Sequence, residues 1–243
     1  MAGAILFYTR LPLPSGWCPS FEGIAALAPL VGLGLATILA LVDGVLDYGG
    51  MPMGTRSALV VGLWVWLTGG FHLDGAMDTA DGLAVSDPDR RLTVMADSRV
   101  GAFGALAAIA LLGLKTLALT DLTTGRGMVL ATAAIWGRWG QLVAIAGYPY
   151  LRSVGKGALH KTHLHLPTDL LPGLGLGIGL AVVWGCLYPD QVGLAIGTLT
   201  TGLVLAWLVP AWLNYRLGGH TGDSYGATVE WVEALVLCLS TVL

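Results

Sequence analysis

The chain has 243 residues, of which 55% are hydrophobic and 11% charged, and its formal net charge is −3. So few charges cannot coat a soluble globule of this size, and a mean hydropathy of +0.75 agrees. A pI near 5.9 with no basic patch argues against nucleic acid as a partner.

Taken in chain order, MAGAILFYTRLPLP opens with a short apolar run that lacks a basic lead and a cleavage-like site. It is expected to be retained, and residues 1–28 read as an interfacial segment that includes Glu22. A membrane helix needs about 20 apolar residues. The candidate spans are 29–47, 57–77, 100–120, 127–147, 170–188, 192–213 and 227–243. Pro29 suits a first helical turn, where its missing N–H costs nothing. The last span is short and carries Glu230 and Glu233. The expected fold is an all-α, polytopic helical membrane protein of about seven transmembrane helices, or six with a terminal re-entrant helix. No repeat or linker divides it, so residues 1–243 read as one domain.

The 36 glycines match the small-residue enrichment that lets membrane helices approach closely. Cys18, Cys186 and Cys238 are far apart, with no CxxC pair, and read as free thiols in apolar surroundings.

Basic residues set the orientation. With the N-terminus in the cytoplasm, that side carries Arg10, Arg90, Arg91, Arg99, Arg152, Lys156, Lys161 and Arg216, against Arg56 and Arg126 opposite. Lys115 and Arg138 fall within spans; Lys115 is near enough to the far boundary to snorkel. The loops 78–99, 148–169 and 214–226 then share the cytoplasmic side.

The most informative stretch is HLDGAMDTADG, residues 72–82. Asp74, Asp78 and Asp81 are spaced i, i+4, i+7 and share one helix face. Three carboxylates on one stripe repel, and at a membrane boundary each also loses solvation. A divalent cation offsets both, and hard oxygen ligands suit Mg²⁺ or Mn²⁺ rather than zinc. The plain alternative is the solvated end of a helix. Asp43 and Asp47, without glycines or a motif around them, read as that plainer case.

Further along, Asp97 and Ser98 can cap a helix, whereas Arg99 beside Gly101 and Gly104 can hold a phosphate. Arg138, deep in the fourth span, needs either an acidic partner or an anionic substrate. Lys156 between two glycines can touch phosphate, although the sequence is no P-loop. His160, His163 and His165 do not share a helix face, which argues against a histidine metal site. His220 and Asp223 sit in the glycine-rich GGHTGD turn, where Asp223 reads as an N-cap or as a ligand contact. Glu230 and Glu233 are either buried partners for arginine or interfacial residues.

Together, FYTRLPLP, HLDGAMDTADG, RRLTVMADSRVGAFG and GGHTGDSYGATVE, in that order, resemble the cobalamin synthase family of adenosylcobinamide-GDP ribazoletransferases. The likeness spans nearly the whole chain and departs from the family at the histidine-bearing loop after Lys156. It implies a Mg²⁺-dependent enzyme of the inner membrane with its site facing the cytoplasm. A ribose hydroxyl of α-ribazole, or of its 5′-phosphate, attacks the cobinamide-side phosphorus of adenosylcobinamide-GDP. GMP leaves, and adenosylcobalamin or its 5′-phosphate forms. Under that reading Asp74 and Asp78 bind metal, and Asp81 is a ligand or general base. Arg99, Arg138 and Lys156 meet the diphosphate and GMP, with Asp97, His220, Asp223 and Glu22 in support. Homo-oligomers are left open. Two other classes compete: a CDP-alcohol phosphotransferase, whose aspartate run has a different spacing, and a cation-coupled transporter. Transport would need a polar path across several spans, and Arg138 alone is clearly mid-span in the sequence.

Overall fold

The computed structural model describes residues 1–14, 16–17, 19–152, 161, 164–165 and 167–243. The described helices are α1 (Ala2–Tyr8), α2 (Ala28–Tyr48), α3 (Met53–Leu67), α4 (Phe71–Ala84) and α5 (Pro88–Val94). They continue as α6 (Ala102–Asp121), α7 (Arg126–Gly147), α8 (Leu171–Leu187), α9 (Val192–Leu217) and α10 (Gly222–Ser240). Among the described residues there is no strand beyond one isolated bridge, Tyr150 to His220.

Helix α7 is the axis of the bundle, and its residues from Val129 to Ile145 are buried. Packed around it are α2, α8, α9 and α10. Helix α10 is nearly as enclosed, bounded by α4, α6, α7 and α9. Helix α9 turns an apolar face outward, with Ile196, Trp207, Leu208 and Trp212 exposed. Apolar side chains on the outside and charged ones within suit a lipid surround. The chain is an all-helical membrane protein.

Among the described residues, four helical stretches are long and apolar enough to cross a membrane: Ile24–Tyr48, Ala102–Asp121, Arg126–Gly147 and Pro189–Leu217. A fifth arises if α3 and α4 count as one broken span. The expected seven is therefore not reached. Residues 57–77 were read as one helix, but the chain bends by 90° between α3 and α4. Gly69 and Gly70 make the break, with φ of 67° and 73°. That left-handed region costs other residues about 1–2 kcal/mol each, which is why two glycines stand there. Leu171–Leu187 is apolar but shorter than the other spans. Helix α10 starts five residues before the expected 227, and its Glu230 and Glu233 face the core.

Two buried ionic networks depart from expectation. Asp43, read as solvated, is 7% exposed and ion-paired to Arg126 at 2.7 Å and Arg56 at 3.1 Å. Asp47 pairs with Arg56. Lys115, expected to snorkel, is 2% exposed and donates to Glu230 and Glu233, each at 2.7 Å. Its ammonium also lies 4.6 Å from the Trp64 ring centroid. Mid-span charge is thus richer than Arg138 alone, and it is internally neutralised. Cys186 and Cys238 are free thiols, as expected, with Cys186 on the outer face; Cys18 lies outside the described residues.

Candidate active site

The aspartate run occupies α4, which the glycine break turns across the bundle beside the first turn of α10. The two helices touch backbone to backbone. A Cβ on Gly75 would come within 2.6 Å of the Asp223 carbonyl oxygen. A Cβ on Gly226 would come within 3.0 Å of the His72 carbonyl oxygen. The glycines of both motifs are therefore notches that let the helices meet, and the meeting brings Asp223 beside the run.

Four carboxylates gather at this rim, because Asp78 lies in electrostatic reach of Asp74, Asp223 and Asp81. Asp74 is exposed and Asp78 half-buried, and among the described residues neither side chain has a hydrogen-bond or ion-pair partner. The first turn of α4 holds Asp74 and that of α10 holds Asp223, so each helix dipole offsets part of the repulsion.

Asp81 has a use that sequence reasoning did not foresee. Its two oxygens accept the backbone N–H groups of Gly101 and Gly104, both at 2.8 Å. Those N–H groups belong to the start of α6, which has no cap of its own, so Asp81 caps it from a neighbouring helix. Side chains at 101 or 104 would collide with the carboxylate, which explains the glycines. The N-terminus proposed from sequence to receive a phosphate is filled by Asp81.

Arg99 is exposed and forms a fork with Asp97: Nε donates to Oδ1 at 3.0 Å and Nη2 to Oδ2 at 2.6 Å. Those bonds hold the Asp97 carboxyl down to about 2. The pair lines, with Asp81, a cavity of about 520 Å³.

Other candidates lie elsewhere. Arg138 is fully buried and donates to Glu233 at 2.5 Å, so it is joined to the Lys115 network. His220 is also buried; its ring sits 3.0 Å from the Ser224 hydroxyl and 3.1 Å from the Pro210 carbonyl. Burial pushes the imidazole down to about 4, so it stays neutral at neutral pH. It braces the turn from α9 into α10 instead of meeting the rim. Glu22 is exposed, and among the described residues its carboxylate has no partner. Lys156, His160 and His163 lie outside the described residues.

Sequence reasoning missed Arg152. Its guanidinium stands 2.9 Å from the Asp223 carboxylate. The segment before it is tied to the GGHTGD turn by two backbone bonds of 2.8 Å, Leu151 to His220 and His220 to Pro149. Only its place in a basic loop hinted at this, and the glycine-flanked Lys156 drew attention instead.

Among the described residues, no three His, Cys, Asp or Glu side chains form a ready-made metal cage. Magnesium is usually bound by one or two carboxylates together with substrate phosphates. Two bare carboxylates one turn apart, Asp74 and Asp78, fit that habit.

The profile of the cobalamin-5-phosphate synthase family matches residues 1–241. The chain belongs to that family. Similar proteins named adenosylcobinamide-GDP ribazoletransferase include one from Trichormus variabilis, 55% identical, covering all of this chain and 96% of the relative. One from Synechocystis sp. is 48% identical over 98% of this chain and 92% of the relative. One from Prochlorococcus marinus is 35% identical over 100% and 95%. No solved structure matches the chain significantly. In this chain the motifs at 72–82 and 218–230 meet backbone to backbone at Gly75 and Gly226.

Proposed function

We propose that the chain is an adenosylcobinamide-GDP ribazoletransferase of the cytoplasmic membrane, open to the cytoplasm at the carboxylate rim, with Mg²⁺ as its cofactor. The observation that carries this reading is the backbone contact between α4 and α10, which unites the two acidic motifs. Orientation rests on the basic residues. Arg91 bonds the Arg216 carbonyl at 2.7 Å and Arg152 pairs with Asp223, so three basic loops gather at the rim end.

In the reaction, a ribose hydroxyl of α-ribazole or its 5′-phosphate attacks the phosphorus on the cobinamide side of the diphosphate. The new P–O bond forms as the bond to the bridging oxygen breaks, and GMP departs with that oxygen. The hydroxyl proton passes to a rim carboxylate. Asp74 and Asp78 would hold Mg²⁺, which when bound offsets the charge of the diphosphate and of the leaving GMP. Asp81 fixes the start of α6, and with it the cavity at Asp97 and Arg99 that receives the nucleotide half. The interior, neutralised and closed, keeps water and ions from crossing behind the rim.

The test is a transferase assay on purified protein with adenosylcobinamide-GDP and α-ribazole, before and after EDTA. GMP release that stops with EDTA and returns with Mg²⁺ is expected. Undiminished release in EDTA would remove the metal, and release with a cytidine diphosphate donor alone would replace the reading.

A further inference from the structure

We propose that Arg152 binds the diphosphate of the nucleotide-linked substrate, and that its ion pair with Asp223 is the resting half of an exchange. The inference rests on the transferase reading above and adds a substrate-binding residue to it.

A diphosphate approaching four carboxylates needs cationic groups as well as a metal ion. Most basic side chains of the described structure are committed elsewhere. Arg138 is buried on Glu233, and Lys115 is buried between Glu230 and Glu233, while Arg99 stands at the separate cavity with Asp97. Lys161 donates to the Ile145 and Tyr148 carbonyls at 2.7 Å each, closing the end of α7. Arg91 is bonded to the Val85 and Arg216 carbonyls. Arg152 differs in position: among the described residues it is the basic group within electrostatic reach of both Asp78 and Asp223.

Its side chain is 31% exposed, although the Nη2 facing Asp223 is itself enclosed. A partly exposed ion pair adds little net stability, so exchanging one anionic partner for another costs little. A guanidinium offers a planar fork that matches two phosphate oxygens, which a single carboxylate oxygen at 2.9 Å leaves underused. The backbone tie from residues 149–151 to His220 holds the base of the side chain at the rim while its end moves. When Arg152 turns to the diphosphate, Asp223 is released beside Asp74 and Asp78, with the Thr221 hydroxyl at 3.3 Å still donating to it. Substrate arrival and completion of the acidic set are then one event.

The experiment compares full-length wild type, Arg152→Gln and Arg152→Lys in nanodiscs, with GDP and Mg²⁺ as the binding probe. Arg152→Gln should weaken GDP about tenfold by calorimetry. It should raise KM for adenosylcobinamide-GDP by a similar factor and leave KM for α-ribazole within twofold. Arg152→Lys should recover part of the affinity, since charge returns without the fork. Unchanged GDP affinity in Arg152→Gln would overturn the proposal, and a melting temperature lowered equally in Arg152→Gln and Asp223→Asn would then mark the pair as a structural tie. Wild type that binds GDP through Arg152 yet releases no GMP from the corrinoid donor would count against the transferase reading and for the Arg152 assignment.

Discussion

The charged interior and the charged rim of this protein use the same residue types under opposite accounting. In the core, Lys115 and Arg138 face Glu230 and Glu233, two cations against two carboxylates, all within ion-pair distance. At the far end, Arg56 and Arg126 face Asp43 and Asp47 in the same ratio. At the rim, among the described residues, Asp74, Asp78, Asp81 and Asp223 are met by Arg152, one cation to four carboxylates. Balanced sets complete themselves and hold helices together. The unbalanced set needs something from outside, which is what a binding site is in electrostatic terms.

The sharpest way to break this comparison is to neutralise each kind of set. Asp74→Asn or Asp78→Asn should cut GMP release roughly 100-fold or more at saturating Mg²⁺. Insertion and melting temperature should stay unchanged, as read by size-exclusion profile and thermal scan. Lys115→Met should do the reverse. It strands two buried carboxylates at a cost of about 3–5 kcal/mol, so folded yield collapses while activity per folded molecule survives. If Lys115→Met melts like wild type, the core network is not the structural tie described.

Asp81→Asn tests the middle ground. An amide offers one oxygen where Asp81 presents two to Gly101 and Gly104, so one N–H loses its acceptor. A loss of about 1–3 kcal/mol in stability is expected, with turnover at reduced temperature within a few-fold of wild type. Turnover falling as far as in Asp78→Asn would make Asp81 a participant in the chemistry.

The smallest effect concerns pH. Burial holds His220 at about 4, below its ordinary 6.5, so the unfolded chain takes up a proton that the folded one refuses. The contribution is complete above pH 6.5 and is lost as pH falls toward 4. Melting temperature should decline across that window, and His220→Gln should flatten the decline.

Much of this was legible in sequence because membranes write in plain terms. The long apolar runs gave the helices, and i, i+4, i+7 spacing placed three aspartates on one face. One expected span, 57–77, is broken where a pattern of apolar residues runs on through Thr68, Gly69 and Gly70, since hydropathy does not register a left-handed φ. Lys115 and Asp43 were misjudged for a related reason. Their partners lie 115 and 83 residues away in the chain, and no local spacing announces them. His220 and Arg138 drew attention because expensive residues near motifs are suspects, yet His220 is set against Ser224 and Pro210 and Arg138 is ion-paired to Glu233. Gly75 was visible as a motif residue but its purpose was not, because the notch exists only when the Asp223 backbone fills it.

That notch has a mechanical consequence. Side chains swing and tilt with their surroundings, but two backbones in contact leave no slack between them. When a bilayer is thicker or thinner than the protein prefers, outer helices take up the mismatch by tilting. Helix α9, mostly turned to the outside, is free to do so, whereas α4 and α10 are pinned at Gly75 and Gly226. The distance from Asp74 to Asp223 is thereby decoupled from lipid thickness, and the enzyme should keep its turnover across membranes in which its perimeter visibly deforms.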